Sequence, residues 1–286
     1  MRLVLHAGFH KTGTTSVQKA LADNAALLES HLRVLLRDDV QVLIDMARGY
    51  SLWRRPRHRQ SVYDAALALF GGLRRETRPV LISAEDLSGF MPGRREVQDY
   101  DAVPVIMAEI ERAAGAVFGD ALALTVFFST RQPRAWLESL WWQNLRNTRL
   151  DLDLKKYRRR NEKIADLDAL AEATAAQLGR ATVEAVSLDI TRTLPEGPMT
   201  PLLELLDLPV AVRGAMLYGP PANQRPAVGL EKVFLELNRS GLSDALVART
   251  KATLLREARI EAGRGDGGAV DSGDQDDNRN EDGGKT

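Results

Sequence analysis

The sequence contains no cysteine, and its 286 residues include only four histidines. The lack of cysteine excludes disulfide bonds, thiolate metal sites and cysteine nucleophiles, and four histidines leave few imidazole ligands for a metal cluster. No apolar run approaches the roughly 20 residues that a membrane-spanning helix needs. The N-terminus also lacks the charged and cleavage regions of a signal peptide, so we expect a cytoplasmic protein without a membrane span.

The chain also lacks a formal net charge, because 39 lysine and arginine residues balance 39 acidic residues. The charges are unevenly distributed: residues 263–286 carry seven acids, three bases, many glycines and almost no apolar side chains. Such a segment cannot bury enough surface to offset its ordering entropy, so we predict a disordered acidic tail. Residues 1–262 then carry about +4, which suits an anionic ligand but is too little for a nucleic-acid-binding surface.

Short apolar runs alternate with stretches of helical periodicity along the first two thirds of the chain. We predict strands at 2–6, 79–83, 123–129 and 181–189, and helices near 60–76, 103–117 and 165–178. Residues 31–35 fit either a strand or an irregular connection. This alternation predicts an α/β fold with a central parallel sheet flanked by helices. Further helices are predicted at 199–206, 228–239 and 242–261, so we expect one domain over 1–262 with a helical C-terminal part.

The stretch LHAGFHKTGTTSVQKAL, residues 5–21, has the spacing of a phosphate-binding loop. Gly8 and Gly13 match the glycines of the triphosphatase pattern G-x-x-x-x-G-K-[ST]. Thr14 stands where that pattern has its lysine, and the lysine of this loop is Lys11 instead. A loop between a strand and a helix presents backbone N–H groups and the positive end of the helix dipole to an anion. Lys11 could then neutralise charge on a leaving phosphate without a metal.

The form H-x-G-x-x-K-T-G-T-T-S-x-Q, from His6 to Gln18, resembles the 5′-phosphosulfate-binding loop of the sulfotransferase family, in particular of its bacterial and carbohydrate-type members. The resemblance implies a P-loop-like fold, 3′-phosphoadenosine 5′-phosphosulfate as the donor, and no metal. It also implies a set of donor-binding residues in the loop and at the helix start: Gly8, Lys11, Thr12, Gly13, Thr14, Thr15 and Ser16. The alternative interpretation is an ordinary strand–glycine turn–helix connection.

A second stretch, TVFFSTRQPRAWLESLWWQ (125–143), resembles the family's site for the 3′-phosphate. Arg131 ends an apolar strand, and Pro133 suits the first position of a helix. Ser139 lies two turns into that helix and can point back towards Arg131. A guanidinium offers forked donors to a phosphate, and the hydroxyl adds one more. The alternative is a strand-end arginine and an unrelated helix serine.

Transfer to an acceptor hydroxyl needs a base that takes the hydroxyl proton. Glu85 follows the strand PVLIS, at the edge where ligands bind in open α/β sheets, and it matches the family's Ser-x-Glu. We therefore take Glu85 as the first candidate for the base and His10 as the second. Glu85 could instead only cap the following turn. His6 ends a strand and is interpreted as a partly buried histidine with its hydrogen bonds satisfied.

The sequence thus predicts a sulfotransferase acting on the hydroxyl or amine of a small-molecule or carbohydrate acceptor, without nucleic acid. A P-loop kinase or NTPase is one alternative, with Asp86 as a weak candidate for holding magnesium. A non-catalytic nucleotide-binding module is another. The basic stretch SLWRRPRHRQS (51–61) is expected to be a solvated loop or a flexible acceptor loop.

Overall fold

A computed structural model describes residues 1–219 and 229–261. The chain divides into two compact units, Met1–Gln224 and Arg225–Thr286. The predicted acidic tail, 263–286, lies outside the described residues. None of the helices in the described ranges is long and apolar enough to cross a membrane.

The first unit is built on a five-stranded, all-parallel sheet flanked by helices, which confirms the predicted α/β class. The strand order is β2-β3-β1-β4-β5. The strands are β1 (Arg2–His6), β2 (Arg33–Leu35), β3 (Val80–Ser83), β4 (Ala123–Thr130) and β5 (Thr182–Ser187). The first strand is therefore central, with β3 on one side and β4 on the other. The 31–35 segment, which the sequence left open, supplies the short edge strand β2.

Helices occupy most of the remaining chain of this unit. They are α1 (Thr14–Asp23), α2 (Ala25–Leu28), α3 (Gln41–Trp53), α4 (Pro56–Gly72), α5 (Val103–Phe118), α6 (Pro133–Asn147), α7 (Leu154–Arg160), α8 (Leu167–Gln177), α9 (Leu188–Thr191), α10 (Thr200–Leu205) and α11 (Val210–Ala215). A short 3-10 helix, Glu85–Ser88, follows β3. In the second unit, α12 (Glu231–Arg239) and α13 (Asp244–Glu261) form where helices were predicted.

The expectation of a loop over 51–61 is wrong. The segment forms the last turn of α3 and the first turns of α4, which are separated only by Arg54 and Arg55. Pro56 stands at the first position of α4, where its fixed φ suits a helix and its missing N–H costs nothing. Arginine is itself a good helix former, so the density of charge did not exclude helical structure.

One buried core of the first unit lies where α1, α10 and α11 cover one face of the sheet. Val4, Leu81 and Phe127 from the three central strands belong to one buried cluster with Val17 and Leu21 of α1. These strands are apolar on both faces, as expected when helices cover a parallel sheet. The carboxyl ends of β1, β3 and β4 thereby meet at one edge, which carries the candidate site.

Candidate functional site

The loop between β1 and α1 has a backbone that only glycine adopts easily. Gly8 has φ +42° and Gly13 has φ +96°, both in the left-handed region. A Cβ atom at Gly8 would lie 2.5 Å from Cγ2 of Thr14, so any larger residue collides with the start of α1. Lys11 also has a positive φ, +70°. A left-handed non-glycine residue is held only where the surroundings dictate it, so the conformation of Lys11 is imposed by the packing of the loop.

The hydroxyl residues that follow Lys11 differ in their surroundings. Thr12 is fully buried, and its Oγ1 donates a hydrogen bond of 2.5 Å to the carbonyl of Phe9. Thr14 is also buried, whereas Thr15 and Ser16 are half-buried in the first turn of α1. The Thr12 side chain therefore shapes the loop, and the hydroxyls of Thr15 and Ser16 are the more accessible donors at the helix start.

Arg131, which follows the end of β4, reaches this loop directly. Its Nη1 donates a hydrogen bond of 3.2 Å to the carbonyl oxygen of Lys11. Burial lowers the pKa of the Arg131 guanidinium. The negative charge of Asp189 raises this pKa, the positive charge of Arg192 lowers it, and the negative charge of Glu138 raises it. The Nε of Arg131 is buried and has no hydrogen-bond partner among the described residues. A buried donor without a partner is costly, and the Nε atoms of Arg48 and Arg158 share this condition.

Ser139 lies on α6, the helix that docks on the same loop. The indole N–H of Trp136 donates a hydrogen bond of 2.9 Å to the carbonyl of His10, which attaches α6 to the loop. Ser139 is half-buried and follows Trp136 by three residues, so the two are neighbours on the helix surface. Within residues 1–219 and 229–261, no hydrogen bond joins Ser139 to Arg131. Arg131 and the helix that carries Ser139 thus each contact the loop, but through separate hydrogen bonds.

Glu85 opens the 3-10 helix after β3 and stands next to the loop. Its Cβ lies 3.7 Å from the position of a Cβ built on Gly8, and the residue is half-buried. Ser88 fastens this segment to the loop, because its hydroxyl lies 2.7 Å from the carbonyl oxygen of Gly8 and 3.0 Å from that of Ala7. The parallel pairing of β1 and β3 therefore brings Glu85 beside the loop that holds Lys11.

Asp86 is the buried centre of an ionic network that the sequence did not predict. Its carboxylate lies 2.8 Å from Nη2 of Arg48, 3.3 Å from Nε of Arg37 and 3.2 Å from Nε2 of His10. Burial alone would raise the pKa of Asp86, but the His10 hydrogen bond and the charges of His10, Arg48 and Arg37 hold it well below its usual range. A carboxylate held by two guanidinium groups is poorly available to a magnesium ion. No local motif announces these arginines, which lie 38 and 49 residues before Asp86.

The second ring nitrogen of His10 is also engaged. Its Nδ1 lies 2.7 Å from the hydroxyl of Tyr100, which in addition accepts the backbone N–H of His10 at 3.2 Å. Burial raises the pKa of Tyr100 well above its ordinary value, so the phenol stays protonated at neutral pH. Because Asp86 and Tyr100 occupy both imidazole nitrogens, His10 would have to break a hydrogen bond to serve as a base. Glu85, which stands beside the loop after β3, stays the first candidate for the base.

His6 is a structural residue, as the sequence indicated. It is fully buried, with Nδ1 at 2.9 Å from the hydroxyl of Ser83 and Nε2 at 3.2 Å from the hydroxyl of Ser129. Burial lowers its pKa to about 4, so the ring is neutral at physiological pH. The neutral imidazole bridges the ends of β3 and β4 beneath the loop.

The carboxyl edge of the sheet thus gathers a constrained lysine loop, a half-buried carboxylate and an arginine with an unpartnered buried donor. This set can bind an anionic group and remove a proton from a neighbouring hydroxyl. Comparisons of the chain with protein-family models, curated proteins and solved structures found no match.

Proposed function

We propose that this protein is a sulfotransferase that moves a sulfonyl group from 3′-phosphoadenosine 5′-phosphosulfate to a hydroxyl or amine of a small-molecule or carbohydrate acceptor. The observation that carries the proposal is the contact between Arg131 and the carbonyl of Lys11. This contact joins the two stretches that resemble the donor site. They are 120 residues apart in the sequence and meet at the carboxyl edge of the sheet, beside the central strand β1. The same arrangement supports a P-loop-like variant of the α/β fold.

The residues present fit the phosphate groups of such a donor. Gly8 and Gly13 hold the left-handed backbone that turns the chain from β1 into α1, and phosphate-binding loops use glycine for such turns. Lys11 and the half-buried hydroxyls of Thr15 and Ser16 would hold the 5′-phosphosulfate. Arg131, with its unpartnered Nε, would hold the 3′-phosphate together with Ser139.

Glu85 and Lys11 would have different tasks in the transfer. Glu85 would take the proton from the acceptor hydroxyl while the hydroxyl oxygen bonds to sulfur. Lys11 would stabilise the negative charge on the phosphate oxygen whose bond to sulfur breaks. Preorganised charge of this kind is commonly worth about 10²–10³ in rate. The network of Asp86, His10 and Tyr100 would keep Lys11 in place.

Two observations speak against the kinase or NTPase alternative. Thr14 follows Gly13 where the triphosphatase loop has lysine. Asp86, which was the candidate for holding magnesium, is engaged by Arg37, Arg48 and His10.

Titration calorimetry with adenosine 3′,5′-bisphosphate, AMP and ATP with magnesium tests the proposal. The bisphosphate should bind at least about tenfold more tightly than AMP, because a charge-assisted hydrogen bond contributes about 1.5–3 kcal/mol. Arg131→Ala should abolish this preference. Arg180→Ala is the control, since Arg180 precedes β5 at the opposite edge of the sheet and pairs on the surface with Asp120. Equal affinities for bisphosphate and AMP, or tight ATP binding that depends on magnesium, would overturn the proposal.

A further inference from the structure

A groove lies between the end of α3 and the loop that follows the 3-10 helix Glu85–Ser88. It has a volume of about 620 Å³ and is open to solvent. Trp53 lines it together with a mixed set of charged and amide side chains: Arg54, Arg95, Glu96, Gln98 and Asp99. An open cleft of this kind fits an extended ligand better than a small molecule that must be enclosed.

Trp53 gives the groove an exposed aromatic surface. Its side chain is 53% exposed, whereas Trp136, Trp141 and Trp142 are buried. The indole has one polar atom and a large apolar face, a combination suited to stacking against the C–H face of a sugar ring. The charged and amide groups around it can exchange hydrogen bonds with hydroxyl groups. Stacking and polar groups together favour a carbohydrate ligand.

Cations gather at the Trp53 end of the groove. The Arg55 guanidinium lies 5.7 Å from the centre of the Trp53 ring, and the His58 ring stacks on Trp53 at 6.4 Å. Desolvation, then the positive charges of Arg57 and Arg55, lower the pKa of His58, so the ring is neutral and the two arginines supply the positive charge. The bound sugar should therefore carry negative charge.

Turns with left-handed backbone form both walls of the groove. Arg54, Arg95 and Glu96 all have φ between +47° and +66°. Arg54 is the C-cap of α3, and Arg95 and Glu96 are the two residues between the bridged pair Arg94 and Val97. Left-handed residues are usual at helix C-caps and in two-residue hairpin turns, so local turn geometry sets the walls of the groove.

The groove is connected to the candidate active site through Ser51. The Ser51 hydroxyl accepts the backbone N–H of Phe90 at 3.1 Å and donates to the carbonyl of Arg48 at 2.8 Å. Arg48 in turn binds Asp86, the neighbour of Glu85. Arg48 and Trp53 are five residues apart on α3, about 7.5 Å along the helix axis. The groove and the segment that holds Glu85 are thus attached to the same helix.

We propose that the groove between Trp53 and residues 95–99 binds an anionic oligosaccharide and delivers it to Glu85 as the acceptor. Its role as acceptor rests on the proposed function, whereas its binding does not. The sugar rings stack on Trp53, Arg55 and Arg57 attract its acid groups, and Gln98 exchanges hydrogen bonds with its hydroxyls beside the ion pair of Arg54 and Asp99.

Tryptophan fluorescence of the full chain tests this binding directly, because Trp53 is the one strongly exposed tryptophan. The probes are tetragalacturonic acid, the neutral maltotetraose and the acidic peptide tetraglutamate. We expect tetragalacturonic acid to change the emission saturably and to bind at least about tenfold more tightly than either other probe. Added salt should weaken this binding, because exposed charges are screened.

Substitutions in the groove, compared with one away from it, test where the sugar binds. Trp53→Phe should remove the fluorescence change, and calorimetry should show that Trp53→Ala binds at least about tenfold more weakly. Arg57→Ala should weaken binding several-fold and reduce its salt dependence, whereas Arg180→Ala should change neither. A lack of response to tetragalacturonic acid, equal binding of tetraglutamate or maltotetraose, or wild-type affinity in Trp53→Ala would overturn the proposal.

Measuring nucleotide binding and sugar binding on the same protein sample distinguishes this inference from the proposed function. If adenosine 3′,5′-bisphosphate binds as expected while tetragalacturonic acid does not, the groove assignment fails alone. If the sugar binds at Trp53 while the nucleotide preference is absent, the sulfotransferase assignment fails and the carbohydrate site stands.

Discussion

His10 and Asp86 are joined by a hydrogen bond of 3.2 Å between Nε2 and Oδ1, and the same carboxylate binds Arg48 and Arg37. His10 immediately precedes Lys11 in the loop. The buried charge of Asp86 therefore fixes the loop to α3 and to the segment before it. This network gives Asp86 a positioning role, distinct from the proton transfer assigned to Glu85.

Asp86→Asn should destabilise the fold by about 3 kcal/mol at pH 7, because it leaves two largely buried guanidinium groups without their counterion. The pKa of Asp86 is depressed in the folded state, so its contribution is present above the unfolded value of about 3.9 and is lost as pH falls below it. Urea unfolding between pH 7 and pH 2.5 should therefore show a shallower acid decline in the variant than in the wild type.

Asp120→Asn is the matched control for that experiment. The Asp120 side chain is 96% exposed and pairs with Arg180 on the surface, so its loss should change the free energy of unfolding by less than about 1 kcal/mol. If Asp86→Asn were as mild as this control, Asp86 would not hold the network together.

Lys11→Ala and Glu85→Gln should separate donor contact from acceptor contact. Lys11→Ala should reduce turnover by about 10²–10³ and also weaken nucleotide binding. Glu85→Gln keeps the shape of the side chain but loses its basicity. Its turnover should fall by about 10²–10⁴ with nucleotide affinity nearly unchanged. Titration calorimetry on both variants and a transfer assay with a responsive acceptor provide the comparison.

His10→Asn completes that series. Since both ring nitrogens of His10 are engaged in the fold, we expect a partial loss of turnover together with weaker nucleotide binding. Full activity in Glu85→Gln with none in His10→Asn would instead make His10 the base.

His6 should remain neutral well below the pH at which an exposed histidine is charged. Burial lowers its pKa to about 4, against about 6.5 in the unfolded chain. The lowered pKa contributes stability that is present above pH 6.5 and is lost as pH falls from 6.5 towards 4, by about 3 kcal/mol in all. An NMR titration of the ring signals should show no protonation of His6 at pH 5.5. A midpoint near 6.5 would contradict the buried bridge between Ser83 and Ser129.

Gly8→Ala should damage both the fold and the anion site. The added methyl group would meet Thr14 at 2.5 Å, and the φ of Gly8 is +42°. We therefore expect the free energy of unfolding to fall by about 1–3 kcal/mol. Gly71→Ala in α4 is the control, because a Cβ there meets nothing within 4 Å and alanine favours the helix. Thermal unfolding should show a decreased midpoint for the first variant and an unchanged or higher midpoint for the second.

The central strands could be predicted because each is a continuous apolar run, as in VLIS of β3. Helix α3 was missed, since Gly49 and Ser51 interrupt its pattern and its charged end resembles a loop. The edge strand β2 has only three residues, too few for its period to decide between strand and connection.

The residues of the candidate site also differ in how far the sequence could predict them. Gly8, Lys11 and Gly13 lie close together in the sequence, so their spacing alone indicated a phosphate loop. The partners of Asp86 come from three separate segments, at His10, Arg37 and Arg48, which only tertiary packing brings together. Such a network carries no local pattern, and one sequence does not show which charges pair.

Helix α3 holds Arg48, which binds Asp86, and ends at Trp53 in the groove. A helix that touches both proposed binding sites can couple them, provided that its position differs between the empty and the filled site. If filling the groove shifts α3 and changes nucleotide affinity by some factor, the nucleotide must change sugar affinity by the same factor. The order in which the proposed nucleotide and sugar bind would then alter the route to the complex of all three molecules but not its total free energy.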